Sequence, residues 1–315
     1  MTKKKICIVG REGTTGLRID ERLSQRDDIE VLPIPEDKRK DLATIKEVAS
    51  QADLVFLCLP DQAAKDVVEV LQDLSCKVID ASTAHRTNPD WAYGFPELGP
   101  DYREHIAQCR FIANPGCHAS GAIAILAPLI KKGLVAADYP LTVLSLTGYS
   151  GGGKKMIAQY QAMDTDSDLC APRQYGLGQS HKHMPEVQAF TGLVEPPIFL
   201  PVVDDYYAGM ETSIGFHLSH LKGISPQDIW QAFQDYYAGS KIIKVAPFNL
   251  EEINGLFLGA NQAAGLDTMT LYVSGNQDRV LVHAIFDNLG KGASGAAVQC
   301  MNIALGLAEE TGLVI

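Results

Sequence analysis

One cysteine of this chain stands where its thiol is expected to be reactive. Cys117 follows Asn114, Pro115 and Gly116, and the apolar run at 119–129 after it is typical of a helix. The first backbone N–H groups of a helix have no partners within it, and their field favours a thiolate over a thiol. Because the thiolate is the nucleophilic form of cysteine, we predict that Cys117 is a nucleophile.

A histidine-rich segment supplies candidate groups for proton transfer. His181, His183 and Glu186 lie close together in the sequence. On an extended segment the two histidines would share one face, and the carboxylate would be near enough to orient one of them. This triplet also has the donor types of a metal site, but zinc at Cys117 would quench the nucleophile. We therefore predict no metal.

A glycine-rich segment near the N-terminus has the spacing GxxGxxG, formed by Gly10, Gly13 and Gly16. It follows the first predicted strand directly and opens the first predicted helix. Glycines at such a turn let the backbone approach a ligand closely, and the helix N–H groups then face a pyrophosphate. We predict that these glycines, with Thr14 and Thr15, bind a dinucleotide.

The residues after the second predicted strand bear on which dinucleotide is bound. Lys38, Arg39 and Lys40 form a basic run directly after Glu36 and Asp37. An acidic residue at this place would hold a ribose 2′-hydroxyl, whereas a basic one would hold a 2′-phosphate. Three consecutive cations in an acidic protein favour NADP, with Lys38 and Arg39 as candidate ligands. A solvated loop is the alternative for each of them.

Short β-rich runs alternate with helical stretches over the first part of the chain, as they do in βαβ units. The predicted strands are 6–9, 30–34, 54–59, 77–80 and 111–113. The predicted helices are 16–24, 41–50 and 63–74. We therefore predict an α/β fold in which residues 1–116 form a doubly wound, Rossmann-type dinucleotide-binding domain.

The strand candidates after residue 117 are longer and closer to strict alternation. They are 141–146, 198–203, 211–217, 269–273 and 280–286, with a helix at 225–237. This pattern predicts an α+β domain with a mixed or antiparallel sheet at 117–291. Since Cys117 and the histidine-rich segment belong to it, we expect it to serve catalysis and substrate binding, and its long strands make it the candidate oligomerisation domain. The segment 293–310 is apolar on one side, so we expect a C-terminal helix at 292–315 that completes the first domain.

The composition excludes several classes of partner. Of the 315 residues, 46% are hydrophobic and 21% are charged, and the formal net charge is −11. A net-acidic surface argues against nucleic acid and anionic membranes, and no apolar run reaches the ~18 residues of a membrane span. The seven cysteines lack the spacing of a disulfide framework, so we expect a cytoplasmic protein.

Six segments in order along the chain carry a resemblance to one enzyme family. They are GREGTTG at 10–16, DASTAHR at 80–86, NPGCHASG at 114–121, GYSGGGK at 148–154, HKHMPE at 181–186 and NLGKGASGAAVQ at 288–299. With them the chain resembles N-acetyl-γ-glutamyl-phosphate reductase, particularly its shorter form. His118 and Ser120 stand where the commoner pattern of this family has an aromatic residue and a threonine.

The resemblance implies a role for each matched residue. Cys117 would be the nucleophile and His183 the general acid/base. The residues implied to bind or support the substrate are Arg86, Asn114, Tyr175, His181 and Glu186. Those implied to contact the cofactor, besides the glycine-rich turn, are Ser82, Ser150, Gly151, Gly152 and Asn288. Arg86 suits a planar anion, with an interface salt bridge as its alternative.

The implied reaction is the NADPH-dependent reduction of N-acetyl-glutamyl 5-phosphate to N-acetyl-glutamate 5-semialdehyde with release of phosphate, a step of arginine biosynthesis. Cys117 would form a thioester, and hydride transfer with protonation from His183 would give the aldehyde. The resemblance also implies a homodimer or homotetramer. The alternatives are a related reductase acting on an aminoadipate or an aspartyl substrate, and a non-catalytic NADP-binding sensor.

Overall fold

The chain folds into two compact units, which we describe from a computed structural model of residues 3–164, 167–221, 223–248 and 257–315. The first unit comprises Met1–Gly116 and Ala293–Val314. The second comprises Cys117–Gly292, together with Ile315. The candidate nucleophile is therefore the first residue of the second unit.

The elements alternate between strand and helix in the first unit and become strand-rich in the second. The strands are β1 (Lys4–Val9), β2 (Ile29–Leu32), β3 (Leu54–Leu57), β4 (Lys77–Asp80), β5 (Ala92–Tyr93), β6 (Phe111–Ala113), β7 (Thr142–Gly148), β8 (Arg173–Gln174), β9 (Ile198–Asp204), β10 (Met210–His217), β11 (Ile243–Val245), β12 (Met269–Gly275) and β13 (Arg279–Phe286). The α-helices are α1 (Thr14–Leu23), α2 (Leu42–Ala49), α3 (Asp61–Val70), α4 (Pro100–Gln108), α5 (Cys117–Lys131), α6 (Gly153–Gln161), α7 (Met184–Thr191), α8 (Pro226–Tyr236) and α9 (Gly295–Ala304).

The sheet of the first unit is parallel, with the strand order β2-β1-β3-β4-β6-β5. Every residue of β3 is buried, as its continuous apolar sequence requires of a strand covered on both faces. Strand β1 contributes to both layers, since Ile6 and Ile8 belong to one hydrophobic cluster and Cys7 and Val9 to the other. This is the doubly wound architecture that the sequence predicts.

The C-terminal segment contributes α9 to one of these clusters. The predicted helix at 293–310, and its wider form at 292–315, is wrong at the C-terminal end, because α9 stops at Ala304. Gly306 has a φ of +67°, a left-handed conformation that ends a helix. The Asn302 amide then donates to the carbonyls of Glu309 and Thr311, which holds the last residues in a non-helical path.

The sheet of the second unit is mixed, with the strand order β11-β12-β13-β10-β7-β9-β8. The pairs β11–β12 and β7–β9 are parallel and the other pairs are antiparallel. Burial alternates along β7, β9 and β12, as expected where one face of a sheet packs against helices. The predicted fold class, a Rossmann-type domain plus an α+β domain with a mixed sheet, is confirmed.

Helix α5 is the central helix of the second unit. It packs against β10 and β13 on one face of the sheet, and α7 and α8 pack against α5. The helix approaches the sheet closely at Gly121, where a Cβ atom would lie only 2.3 Å from Thr212 Oγ1. This approach brings the first turn of α5 against side chains of the sheet.

Several short elements are absent from the sequence prediction, namely β5, β8, β11, α4, α6 and α7. Strands β5 and β8 have two residues each and β11 has three, too few to show a period. In the described ranges, no helix combines the length and the apolar character needed to cross a membrane.

Candidate active site

The glycine-rich turn between β1 and α1 is packed so tightly that it requires glycine. Gly10 has a φ of +85°, and a Cβ on it would lie 2.3 Å from the carbonyl oxygen of Cys58. A Cβ on Gly16 would lie 2.4 Å from the carbonyl oxygen of Gly10. Gly13 is the residue before α1, so the turn presents the N-terminal N–H groups of that helix. This geometry fits a pyrophosphate.

The two threonines of the motif open α1. Thr14 Oγ1 is buried, and the described residues offer it no hydrogen-bond partner. Thr15 follows in the same turn and is half-buried. A buried hydroxyl costs free energy unless it is bonded, so Thr14 is suited to a polar ligand placed on this turn.

One residue of the basic run, Arg39, lies beside this turn. Lys38 ends a short 3-10 turn and is exposed, and Arg39 follows it. Arg39 Nη1 lies 3.6 Å from a carboxylate oxygen of Glu12, within the glycine-rich turn. A cavity of about 690 Å³ is lined by Glu36, Asp37, Arg39 and Lys40. The structure therefore places Arg39 beside the glycine-rich turn, where a residue that binds a 2′-phosphate would have to lie. Its contact with such a phosphate stays a prediction.

Asp80 anchors the loop that follows β4. Its carboxylate is fully buried and accepts hydrogen bonds from the Ser82 N–H at 2.9 Å and the Ser82 hydroxyl at 2.6 Å. His85 Nδ1 lies 2.6 Å from the same carboxylate, and the His85 ring stacks on Trp91 with centroids 4.1 Å apart. Sequence reasoning named Ser82 but missed the carboxylate that holds it, although Asp80 ends a buried strand.

Arg86 and Asn114 meet at the end of β6. Arg86 Nε donates to the Asn114 carbonyl at 2.9 Å, and its Nη2 donates to the Ala81 carbonyl at 3.0 Å. The Asn114 amide nitrogen donates to the Ala293 carbonyl at 3.1 Å. The Asn114 Oδ1 is buried, and the described residues provide it with no donor. Arg86 thus orders the segment before Cys117, and its role as an anion clamp stays a prediction.

Cys117 is the first residue of α5 and is half-buried. By contrast, burial raises the pKa of the Cys7 thiol and of the Cys58 thiol to about 12, so both are inert. Gly292 lies against the candidate nucleophile, since a Cβ there would be 3.0 Å from Cys117 Cβ. This close approach is invisible in the sequence, because the two residues are far apart along the chain.

The histidine-rich segment is not extended, so that prediction is wrong. His183 has helical dihedral angles (φ −88°, ψ −10°) and is the N-cap of α7, because Pro185 favours a helix start. The rings of His181 and His183 nevertheless meet edge to face, with centroids 4.8 Å apart. His183 and Glu186 are both buried in the first turn of α7.

His118 is a residue of the site to which the sequence analysis gave no role. It is buried, its Nε2 lies 2.6 Å from the Tyr175 hydroxyl, and its Nδ1 lies 2.7 Å from Ser145 Oγ. Its ring also contacts those of His183 and Phe199, with centroids 5.7 Å and 5.3 Å away. Burial, and then the neighbouring His181 charge, lower the pKa of His118 to about 3. Its place after the nucleophile was the available signal.

The Tyr175 hydroxyl belongs to the same site, since it is bonded to His118. Burial, and then the charge of Cys117, raise the pKa of the Tyr175 hydroxyl. Burial, and then the Lys182 charge, lower the pKa of His181. The second unit therefore gathers a helix-terminal thiol, a neutral imidazole and a neutral phenol within one site.

The segment after β7 lies beside Asn288. The Asn288 side chain accepts from the Gly209 N–H at 2.8 Å and donates to the buried Ser150 hydroxyl at 3.0 Å. A Cβ on Gly151 would lie 3.5 Å from the Asn288 amide nitrogen, whereas one on Gly152 would overlap the Met156 side chain. The structure thus brings Ser150, Gly151 and Asn288 together, and their contact with nicotinamide stays a prediction.

Protein ligands of a metal ion come from clustered His, Cys, Asp or Glu side chains. Within the described ranges, no three such side chains form a group that could hold a metal ion.

Family models of known proteins match both units of the chain. Residues 5–109 match the family model described as semialdehyde dehydrogenase, NAD binding domain, and residues 117–288 match semialdehyde dehydrogenase, dimerisation domain. Among solved structures, aspartate semialdehyde dehydrogenase II from Vibrio cholerae has a TM-score of 0.72 at 16% identity, covering 97% of this chain and 99% of that chain. An aspartate semialdehyde dehydrogenase with NADP from Candida albicans has a TM-score of 0.67 at 15% identity, covering 96% and 99%. At these identities the likeness shows the fold.

The curated relatives are more similar in sequence. N-acetyl-γ-glutamyl-phosphate reductase 2 of a Nostoc species is 43% identical over 322 residues, covering 99% of this chain and 100% of that protein. N-acetyl-γ-glutamyl-phosphate reductase of Brucella ovis is 47% identical over 311 residues, covering 96% and 99%. The chain belongs to the N-acetyl-γ-glutamyl-phosphate reductase family.

Proposed function

We propose that the protein reduces N-acetyl-glutamyl 5-phosphate to N-acetyl-glutamate 5-semialdehyde, releasing phosphate and consuming NADPH. The carrying observation is a thiol on the first residue of α5, beside Tyr175, in a chain that shares 43% and 47% of its residues with named reductases. A non-catalytic sensor has no use for such a thiol.

The first unit fits NADP as the cofactor. Gly10 and Gly16 allow the tight turn that leads into α1, and the Thr14 hydroxyl is suited to a polar ligand on the same turn. Arg39 and the neighbouring Lys38 would hold the 2′-phosphate, while the N–H groups at the start of α1 would hold the pyrophosphate. The cofactor supplies a hydride to the substrate carbon. Everything else in the reaction is the work of side chains.

Cys117 performs the covalent step. Its thiolate attacks the acyl carbon, the C–S bond forms, and the C–O bond to phosphate breaks, leaving a thioester and inorganic phosphate. After reduction, the thiohemiacetal oxygen takes a proton from His183, which is buried at the N-terminus of α7. His183 takes the proton back as the C–S bond breaks, so the thiolate returns and the aldehyde leaves.

The reverse reaction gives the direct test. Wild-type protein should reduce NADP with N-acetyl-glutamate 5-semialdehyde only when phosphate is present. Cys117→Ala and Cys117→Ser should abolish this turnover while still binding NADPH. Cys170→Ala is a matched control at an exposed cysteine and should keep it. Turnover by the Cys117→Ala variant would exclude the covalent mechanism.

Substrate choice is tested in the same assay. An aminoadipate-derived semialdehyde and aspartate semialdehyde replace N-acetyl-glutamate 5-semialdehyde at matched concentrations. We expect the highest kcat/KM for N-acetyl-glutamate 5-semialdehyde. A higher value for either competitor would reassign the substrate and leave the thiol chemistry intact.

We further propose that two copies of the chain pair through the face of the second sheet opposite α5, here called the open face. Leu281 and Leu144 are exposed on this face, on β13 and β7, beside Gly215 and Ser213 of β10. Exposed leucines on a sheet face are typical of an interface, and the dimerisation family model covers these strands. Leu281→Asp should shift the mass measured by light scattering from dimer to monomer, whereas an unchanged mass would contradict this interface.

The cysteines support the expected compartment. In the described chain, none of the seven cysteines forms a disulfide. We propose that the enzyme works in the reducing cytoplasm, where the Cys117 thiolate would persist.

A further inference from the structure

Four polar side chains form a continuous chain of hydrogen bonds that ends beside the nucleophile. Thr212 Oγ1 lies 3.2 Å from Ser145 Oγ, which lies 2.7 Å from His118 Nδ1. His118 Nε2 lies 2.6 Å from the Tyr175 hydroxyl. Thr212, Ser145 and His118 are all buried. We call these four residues the hydrogen-bond chain.

Because His118 is neutral, the donors on its two sides must point the same way along the hydrogen-bond chain. Its pKa of about 3, which burial lowers first and the neighbouring His181 second, leaves one ring nitrogen as donor and the other as acceptor. Either Tyr175 donates to His118, which then donates to Ser145, or Ser145 donates to His118, which then donates to Tyr175. In the second arrangement the Tyr175 proton is available beyond the chain.

The charge of Cys117 selects the second arrangement. The Tyr175 hydroxyl is bonded to the side chain of His118, the residue that follows Cys117 in α5. The charge of the Cys117 thiolate, after burial, raises the pKa of Tyr175. A hydroxyl facing an anion lowers the free energy by presenting its proton rather than its lone pairs. Tyr175 therefore donates away from His118, and its oxygen accepts the bond from His118 Nε2–H.

We propose that His118 is a positioning residue: its Nε2–H bond fixes the Tyr175 hydroxyl as a donor to the Cys117 sulfur and to the oxygen of the thiohemiacetal formed on it. The part concerning this oxygen rests on the proposed function, whereas the part concerning the sulfur does not.

A purely structural role makes different predictions. The His118 ring is surrounded by the rings of His181, His183 and Phe199, and phenylalanine would fill the same space. Glutamine carries an amide nitrogen near the place of Nε2 and can donate to Tyr175. Asparagine carries its amide near the place of Nδ1 and can contact Ser145 alone. The two amides therefore separate the two bonds of His118.

The test is the pH dependence of Cys117 alkylation by iodoacetamide, followed by mass spectrometry, in the full-length protein. Tyr175→Phe and His118→Phe should each raise the apparent pKa of the Cys117 thiol by about one unit, as expected for losing one hydrogen bond to a charged group. The double variant should show the same shift as either single variant. His118→Gln should recover at least half of the shift, and His118→Asn should behave like His118→Phe.

Turnover provides the second readout. Tyr175→Phe and His118→Phe should lower kcat by roughly tenfold to a hundredfold with less than threefold change in KM, because the bond strengthens as the oxyanion forms. An unchanged thiol pKa in Tyr175→Phe, additive shifts in the double variant, or recovery by asparagine instead of glutamine would each overturn the proposal. If the protein proves to act on a different substrate, the proposed function fails, but the alkylation result still tests the hydrogen bond to the Cys117 sulfur. If His118→Phe fails to fold, the apparent pKa of the Cys117 thiol in Tyr175→Phe and in His118→Gln still tests the proposal.

Discussion

Replacing Gly16 by alanine sets two physical effects against each other. Gly16 is buried in the first turn of α1. Helix propensity alone predicts that alanine stabilises this helix by about 1 kcal/mol. The structure predicts the opposite, because the new Cβ would lie 2.4 Å from the Gly10 carbonyl oxygen and 3.0 Å from Arg11 Cα.

The overlap is with backbone atoms, so it cannot be relieved by rotating a side chain. The turn cannot retreat either, since the Cβ position of Gly10 already lies 2.3 Å from the Cys58 carbonyl oxygen. Overpacking of this kind costs about 1–3 kcal/mol. After subtracting the propensity gain, we expect Gly16→Ala to lower the free energy of unfolding by up to about 2 kcal/mol. Displaced N–H groups should also weaken NADPH binding by at least about tenfold, since each bond to a charged phosphate contributes about 1.5–3 kcal/mol.

Two measurements test this prediction: urea unfolding without cofactor, and titration of NADPH fluorescence. Gly178→Ala is the control, because Gly178 is exposed and a Cβ on it would meet only Ser180 Oγ, at 3.9 Å. It should leave NADPH binding unchanged and change stability by less than about 0.5 kcal/mol. A Gly16→Ala protein that is more stable than wild type and binds NADPH equally would show that the turn does not constrain this position.

Three further substitutions test other parts of the structure. Gly292→Ala places a Cβ 3.0 Å from Cys117 Cβ, so it should lower kcat by about tenfold or more. Arg26→Ala removes a buried guanidinium that donates to the Asn302 side-chain oxygen and to the Thr311 carbonyl, and should lower the free energy of unfolding by about 2–3 kcal/mol in urea. For Glu211→Gln, urea unfolding from pH 7 to 3 should show a stability difference from wild type that shrinks below about pH 5.

The direction of the pH dependence expected for the stability of Glu211→Gln follows from the pKa of Glu211. Burial acts to raise it, but hydrogen bonds with His283 and Ser213 prevail and hold the pKa of Glu211 below its ordinary value. The ionised group therefore stabilises the fold above the unfolded pKa, and this contribution is lost as the pH falls through the folded pKa. A difference that stays constant with pH would refute the assignment.

Controls for the other two substitutions are available in the chain. Gly178 is exposed, and a Cβ on it would meet Ser180 Oγ only at 3.9 Å, so Gly178→Ala should leave kcat unchanged. Arg18 pairs with Glu21 on the surface, and Arg18→Ala should change stability by less than about 0.5 kcal/mol. Equal effects in control and test variants would mean that burial and close approach do not govern these positions.

Local sequence was sufficient for the parallel sheet and for the cofactor turn. The strands β4 and β6 were predicted with their observed bounds, since short apolar runs between polar segments are typical of strands buried in a parallel sheet. The GxxGxxG spacing also identified a turn whose tight packing the structure displays at Gly10 and Gly16. For β4, β6 and Gly16 the signal and the constraint lie in the same few residues, whereas Gly10 is also constrained by the carbonyl oxygen of Cys58, which is distant in sequence.

Contacts between distant residues escaped prediction. His118 bonds to Tyr175, 57 positions away, and Gly292 approaches Cys117 from the opposite end of its unit. The prediction for the histidine-rich segment was wrong for a local reason: it assumed an extended backbone with alternating side chains, whereas Pro185 starts a helix there. The end of α9 was missed because a glycine in the left-handed conformation outweighs an apolar pattern that continues beyond it.

Buried polar atoms that lack partners carry the remaining argument about ligands. Most buried polar groups in folded proteins are hydrogen-bonded, and leaving one unbonded costs about 1–3 kcal/mol. Asn114 Oδ1 is such an atom among the described residues, and its orientation is fixed because the amide nitrogen donates to the Ala293 carbonyl. An acceptor in this position would repel a carboxylate or a phosphate and would bind an amide N–H. We therefore infer that Asn114 faces an amide of the bound ligands rather than either of their anionic groups.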